Sequence, residues 1–156
     1  MSPESVVPWI ANWAWALPLI ILTVIFHAAG LGLIGRRVSL MLSGTGRLRN
    51  LTAASIVALG SAALSATVLH ALEGFIWAET YRLIGALQGN KSAMLYSLNA
   101  MTSYGHENLE LAPGWQMMGA LEALNGWILF GLTTAFLFSV MQNCERTLKT
   151  KLTKQD

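Results

Sequence analysis

Three apolar runs dominate the chain, at about residues 9–35, 51–72 and 115–140. Each is long enough to cross roughly 30 Å of hydrocarbon as a helix rising about 1.5 Å per residue. The first is uncharged from Trp9 to Gly35 and opens on Trp9, Trp13 and Trp15, at the headgroup level that indoles favour. Pro18 lies inside it. A proline there kinks the helix, or marks its true start if residues 9–17 lie along the interface. The second run is rich in small residues (Ala53, Ala54, Gly60, Ser61, Ala62, Ala63, Ser65, Ala66), which let helices approach closely in lipid. Its helical character is expected to continue through Glu73, Trp77, Tyr81 and Arg82 toward Gly85. The third run passes through Gly126 and Gly131.

Residues 90–115, between the second and third runs, behave differently. The stretch is too short, and too polar at its C-terminal end, to cross a bilayer. It begins as a short helix and breaks at Tyr104-Gly105. Chain that enters a membrane as helix and returns as irregular backbone is tolerated only where protein or water covers it, and selectivity filters are built in this way. The pattern therefore predicts an all-α membrane protein with three transmembrane helices and a re-entrant loop.

Charge gives this scheme an orientation. Eight of the ten Lys and Arg residues fall in two places, the 36–49 segment and the tail from Arg146 to Lys154. Only Arg82 and Lys91 lie on the other side, with Glu73, Glu79, Glu107 and Glu110. By the positive-inside bias the 36–49 loop and the tail are cytoplasmic, the N-terminus is outside, and the re-entrant loop enters from outside. The expected location is a bacterial inner membrane. Three parts follow: residues 1–49 (first helix and basic loop), 50–141 (the module around the loop) and 142–156 (a short basic tail).

Composition agrees. The 156 residues are 54% hydrophobic and 12% charged, about half the charge of an average soluble domain. This leaves no room for a soluble catalytic or ligand-binding domain, and neither an enzyme nor a nucleic-acid or small-molecule binder is expected. The single cysteine, Cys144, excludes an intrachain disulfide. No basic residue precedes the first run, so no cleaved signal peptide is expected. The first helix lacks regularly spaced Arg and is not a voltage sensor.

Residues 51–141 resemble the potassium-channel pore module of outer helix, pore helix, filter and inner helix. Ser97-Leu98 match the start of the family's filter motif, Thr-Thr-Val-Gly-Tyr-Gly-Asp aligns with Thr102 to Asn108, and Pro113 and Trp115 match its end. Residues 70–78 and 119–127 resemble a subgroup with one extra N-terminal span. The resemblance implies a homotetramer whose ion-selectivity filter is Thr102, Ser103, Tyr104, Gly105, His106, Glu107 and Asn108.

The filter departs from the family pattern. Gly105 keeps the first glycine, while Glu107 replaces the second, His106 the Tyr and Asn108 the Asp. A second alignment sets Tyr104-Gly105 on the family's Tyr-Gly at the cost of one deletion. The altered filter implies weak selectivity, with K⁺, Na⁺ and Ca²⁺ as candidate permeant ions and a ring of Glu107 carboxylates as a transient cation site. No other cofactor is expected, and the only further partner is membrane lipid. The alternatives are a K⁺-selective channel and a non-conducting subunit that reuses the fold.

Three further groups stand out. His70, Glu73 and Trp77 share one helix face at i, i+3 and i+7, and Glu122 and Asn125 form an i, i+3 pair. Ionisable residues at membrane depth face protein or water, so His70, Glu73 and Glu122 are either a pH-sensitive or metal site or the polar bracing of the pore helix. No nucleophile or metal set accompanies them. His27, alone in its apolar helix, is expected to make a helix–helix hydrogen bond. Gly126 and Gly131 are candidate gating hinges.

Overall fold

A computed structural model describes residues 9–44, 48–105 and 108–153, the side chains of 48–50 excepted. The described chain is all-α. Its elements are α1 (Trp9–Ser43), α2 (Leu48–Leu83), α3 (Asn90–Met101) and α4 (Gln116–Leu152). Three of them, α1, α2 and α4, are long and apolar enough to cross a membrane.

These three helices have 35, 36 and 37 residues, so each is about 52–56 Å long and overhangs a hydrocarbon layer of about 30 Å. The overhang explains two differences from the sequence reading. Helix α1 continues through Arg36 and Arg37 to Ser43, and α4 continues through Arg146, Lys149 and Lys151. These described parts of the segments read as basic loop and tail are helical because i,i+4 ladders need no apolar surroundings. Glu145 and Lys149 form such a pair on the exposed face of α4. Pro18 sits inside α1 and so does not mark its start; the hydrogen bond it deletes is tolerated in a membrane helix braced by neighbours.

The chain divides into two compact units, Met1–His27 with His70–Phe130, and Ala28–Leu69 with Gly131–Asp156. The second unit is a plain three-helix packing. Val38 and Leu42 of α1 cluster with Leu51, Ala58 and Ala62 of α2 and with Val140 and Cys144 of α4. Alanines at the contact let the helices approach, as close packing in lipid requires. Cys144 is a buried free thiol within this cluster.

The first unit holds α3. Its core joins Ala16 and Leu19 of α1, Trp77 and Tyr81 of α2, Tyr96 and Ala100 of α3, and Met118 and Leu121 of α4. The Tyr81 and Tyr96 rings meet edge-on with centroids 5.4 Å apart, the geometry that aromatic quadrupoles favour.

The two ends flanking α3 are closed by the same device. At the end of α2, Ala86 N–H donates to Tyr81 O at 2.8 Å and Gly85 N–H to Arg82 O at 3.1 Å, with Gly85 at φ 71°. This Schellman pair satisfies carbonyls that the helix leaves unpaired. At the end of α3, Tyr104 N–H donates to Asn99 O and Ser103 N–H to Ala100 O, both at 3.0 Å. Here Ser103 takes the left-handed position, at φ 55°.

After the loop, Pro113 and Gly114 form a turn closed by Trp115 N–H to Ala112 O at 3.0 Å. Gly114, at φ 91°, occupies the place where a type II turn demands glycine. Replacing Gly85 by Ala puts a Cβ on a left-handed residue. We expect a loss of about 1 kcal/mol, read as a lowered thermal midpoint of the detergent-solubilised protein.

Candidate functional site

The twelve residues of α3 span about 18 Å, well short of a bilayer. The helix lies between α2 and α4, and glycines on α4 make the closer contact. A Cβ on Gly74 of α2 would stand 3.4 Å from Ser97, Leu98 and Met101, all on α3. On α4, a Cβ on Gly119 would meet the Tyr96 hydroxyl at 2.2 Å, and one on Gly126 would meet the Met101 carbonyl oxygen at 2.2 Å. Gly126 is therefore a close-approach glycine. Gly131 has nothing within 4 Å of the same position, so of the two hinge candidates only Gly131 is free of a packing role.

Polar bonds hold α3 in this slot. Ser97, fully buried, donates to Gly74 O at 2.7 Å and stands 2.5 Å from Glu122 Oε1, while Tyr81 donates to Glu122 Oε2 at 2.6 Å. A hydroxyl has one proton and a carbonyl only accepts. With the Ser97 proton on Gly74 O, the Ser97–Glu122 contact is satisfied when the carboxyl carries a proton and donates it. Glu122 in this state is a neutral buried group with both oxygens bonded, which is how a buried acid avoids the cost of an unpaired charge.

A second polar bridge ties α4 to α1. Asn125 Nδ2 donates to Thr23 Oγ1 at 2.8 Å, and Thr23 in turn donates to Leu19 O at 2.8 Å. Nearer the α1 start, Asn12 Nδ2 donates to Gly114 O at 2.7 Å and so fixes the turn that follows the loop.

Glu73 belongs to a different cluster. His27 Nδ1 of α1 is hydrogen-bonded to Glu73 Oε1 at 2.8 Å, and His70 Nδ1 is 3.5 Å from Glu73 Oε2. The grouping of His70, Glu73 and Glu122 read from the sequence thus separates. His70 and Glu73 join His27, the helix–helix partner expected of that residue, while Glu122 joins Tyr81 and Ser97. The reason is rotational. Glu73 and Glu122 face different neighbours, α1 for the one and α2 with α3 for the other. His27 lies 46 positions from Glu73, beyond any local pattern, and a lone histidine in an apolar run is its only signal in the sequence.

Of the positions expected to form a filter, His106 and Glu107 lie outside the described residues. Thr102 caps α3, with its hydroxyl donating to Leu98 O at 2.7 Å. Ser103 accepts a 3.0 Å hydrogen bond from Trp127 Nε1 of α4. Tyr104 is 85% exposed. Gly105 and Asn108 have φ of 99° and 65°, so Gly105 sits where the backbone favours a glycine. Removing the Trp127 donor by Trp127→Phe should detach Ser103 from α4 at a cost of about 0.5–1.5 kcal/mol. Faster hydrogen exchange at Ser103 and Tyr104, with α2 unchanged, is the expected readout. Comparison with protein-family profiles, with curated proteins and with solved structures finds no match to this chain.

Proposed function

We propose that the chain is the subunit of a homotetrameric cation channel of potassium-channel-like architecture, with residues 102–108 as an altered, weakly selective filter. The observation that carries the reading is α3. A helix too short to span is seated between two spanning-length helices, and irregular backbone follows it at Ser103–Gly105. Irregular chain at membrane depth is stable only when protein or water covers it, and here the Trp127 bond anchors it at Ser103 while the Glu122 bond holds α3.

The rest of the chain fits. Leu124, Trp127, Ile128 and Phe130 expose a large apolar face on α4, and Tyr104 extends it. Lipid or further copies of the chain cover such a face in a membrane. In the tetramer the loop enters from outside, the Arg36 and Arg146 ends are cytoplasmic by charge bias, and cations pass Glu107 and His106 before the Gly105, Tyr104 and Ser103 positions. A ring of carboxylates at the mouth favours cations, with K⁺, Na⁺ and Ca²⁺ as permeant species. The host is a cell membrane of bacterial inner-membrane type.

A second reading, a non-conducting subunit with the same architecture, draws on Ser103. Its hydroxyl is engaged by Trp127 of the same chain and its backbone is left-handed, which is not the extended start of a carbonyl stack. Flux from proteoliposomes separates the two. The channel reading expects K⁺ and Na⁺ flux of similar size, reduced several-fold in Glu107→Gln; absence of flux for all of K⁺, Na⁺ and Ca²⁺ supports the subunit reading. Crosslinking in liposomes should give a ladder ending at four copies.

A further inference from the structure

His27, His70 and Glu73 sit together inside the first unit, with one ligand atom from each lying within 4.8 Å of the others. His27 and Glu73 are fully buried, and the His70 side chain is 27% exposed. The two imidazole rings have centroids 4.9 Å apart and are tilted by 46°, so they converge without stacking. Glu73 Oε2 is buried and makes no hydrogen bond. A carboxylate taken out of water is costly unless a proton, a cation or full hydrogen bonding compensates it, and Glu73 has only one of its oxygens bonded.

We infer that His27, His70 and Glu73 form a binding site for a Zn²⁺-class transition-metal ion that ties α1 to α2. Two imidazoles and one carboxylate are a donor set suited to Zn²⁺ or Co²⁺, whereas Mg²⁺ and Ca²⁺ prefer oxygen alone. Around a tetrahedral ion with bonds of about 2.0–2.1 Å, neighbouring donors lie about 3.4 Å apart. The present spacing, within 4.8 Å, reaches that by rotamer adjustments of up to about 1.4 Å. His27 then takes the tautomer that leaves a lone pair facing the ion, and Glu73 Oε2, now 3.5 Å from His70 Nδ1, gains a direct bond to the ion. Three protein ligands leave a fourth position for water, the arrangement of open rather than closed zinc sites. The partly exposed His70 side marks the entry path. The site is independent of whether the chain conducts ions.

The test uses the full-length protein in detergent, stripped with chelator and titrated with Co²⁺ and then Zn²⁺. We expect one Co²⁺ per chain, visible d–d absorption of the strength four-coordinate Co²⁺ gives, and its displacement by Zn²⁺. In His70→Gln and Glu73→Gln the affinity should fall by more than about 100-fold, beyond the 10–100-fold that outer-shell changes cost. His70 is partly exposed and Gln matches Glu in shape, so at least one of these proteins should fold, and its unliganded melting curve serves as the check. Zn²⁺ should raise the wild-type thermal midpoint and leave that of His70→Gln unmoved. Substoichiometric binding to the wild type, or equal binding by the variants, overturns the site.

Discussion

Gly126→Ala is expected to unseat α3. The added Cβ would lie 2.2 Å from Met101 O and 2.8 Å from Met101 C and Cα. Those atoms are backbone at the last residue of α3, so no side-chain rotation relieves the overlap. Either α3 or α4 must shift, and with it the Schellman closure at Ser103 and Tyr104. Overpacking of this kind costs roughly 1–3 kcal/mol and more where the backbone is the obstacle; we expect about 3 kcal/mol. Gly131→Ala is the control, because its Cβ meets nothing within 4 Å and alanine is the better helix former. Melting of the two variants in detergent should therefore diverge, with Gly131→Ala at or above wild type. Equal curves would mean that α3 is not held against α4 at this point.

Truncating Glu122 should have a comparable effect, and the choice of replacement decides its size. Glu122→Ala leaves a cavity in the contact between α2, α3 and α4 and strands the buried Tyr81 hydroxyl, while Ser97 keeps its bond to Gly74 O. A cavity of this size costs about 2 kcal/mol or more and a stranded buried hydroxyl about 1–3. A combined loss of about 3–5 kcal/mol follows.

Glu122→Gln should cost less than about 1 kcal/mol. Its amide donates to Ser97 and its carbonyl accepts from Tyr81, reproducing the bonds of a protonated carboxyl. Adding Tyr81→Phe to Glu122→Ala should recover part of the loss, since it removes the stranded donor; a double-mutant cycle in thermal stability measures the coupling. A Glu122→Gln protein as damaged as Glu122→Ala would instead mean that the group is ionised in the folded state.

Much of the scaffold was legible from local features. Hydropathy alone marks α1, α2 and α4. The Pro113-Gly114 pair and Gly85 carry the turn and cap chemistry that their dihedrals then use. The second cap carries no such mark, because its left-handed residue is Ser103 and serine does not announce that conformation. The helical extents past Arg36 and Gln142 were missed for a related reason, since charge marks where a chain leaves lipid and not where a helix stops.

For this protein the amino-acid order determines three membrane-length helices, a short interrupted fourth, and a lopsided distribution of Lys and Arg. These depend on each segment's own transfer free energy and backbone preference. The pairing of His27 with Glu73 and His70, of Glu122 with Tyr81 and Ser97, and of Asn125 with Thr23 was decided only by tertiary structure. Apolar residues surround all sides of these helices, so no stripe in the sequence says which face turns inward. In lipid that rotation is set by where glycines permit contact and where polar groups find partners. Gly126 shows the rule most directly: in the sequence it is a flexible point in a helix, and in the fold it is the place where only a hydrogen atom fits beneath Met101.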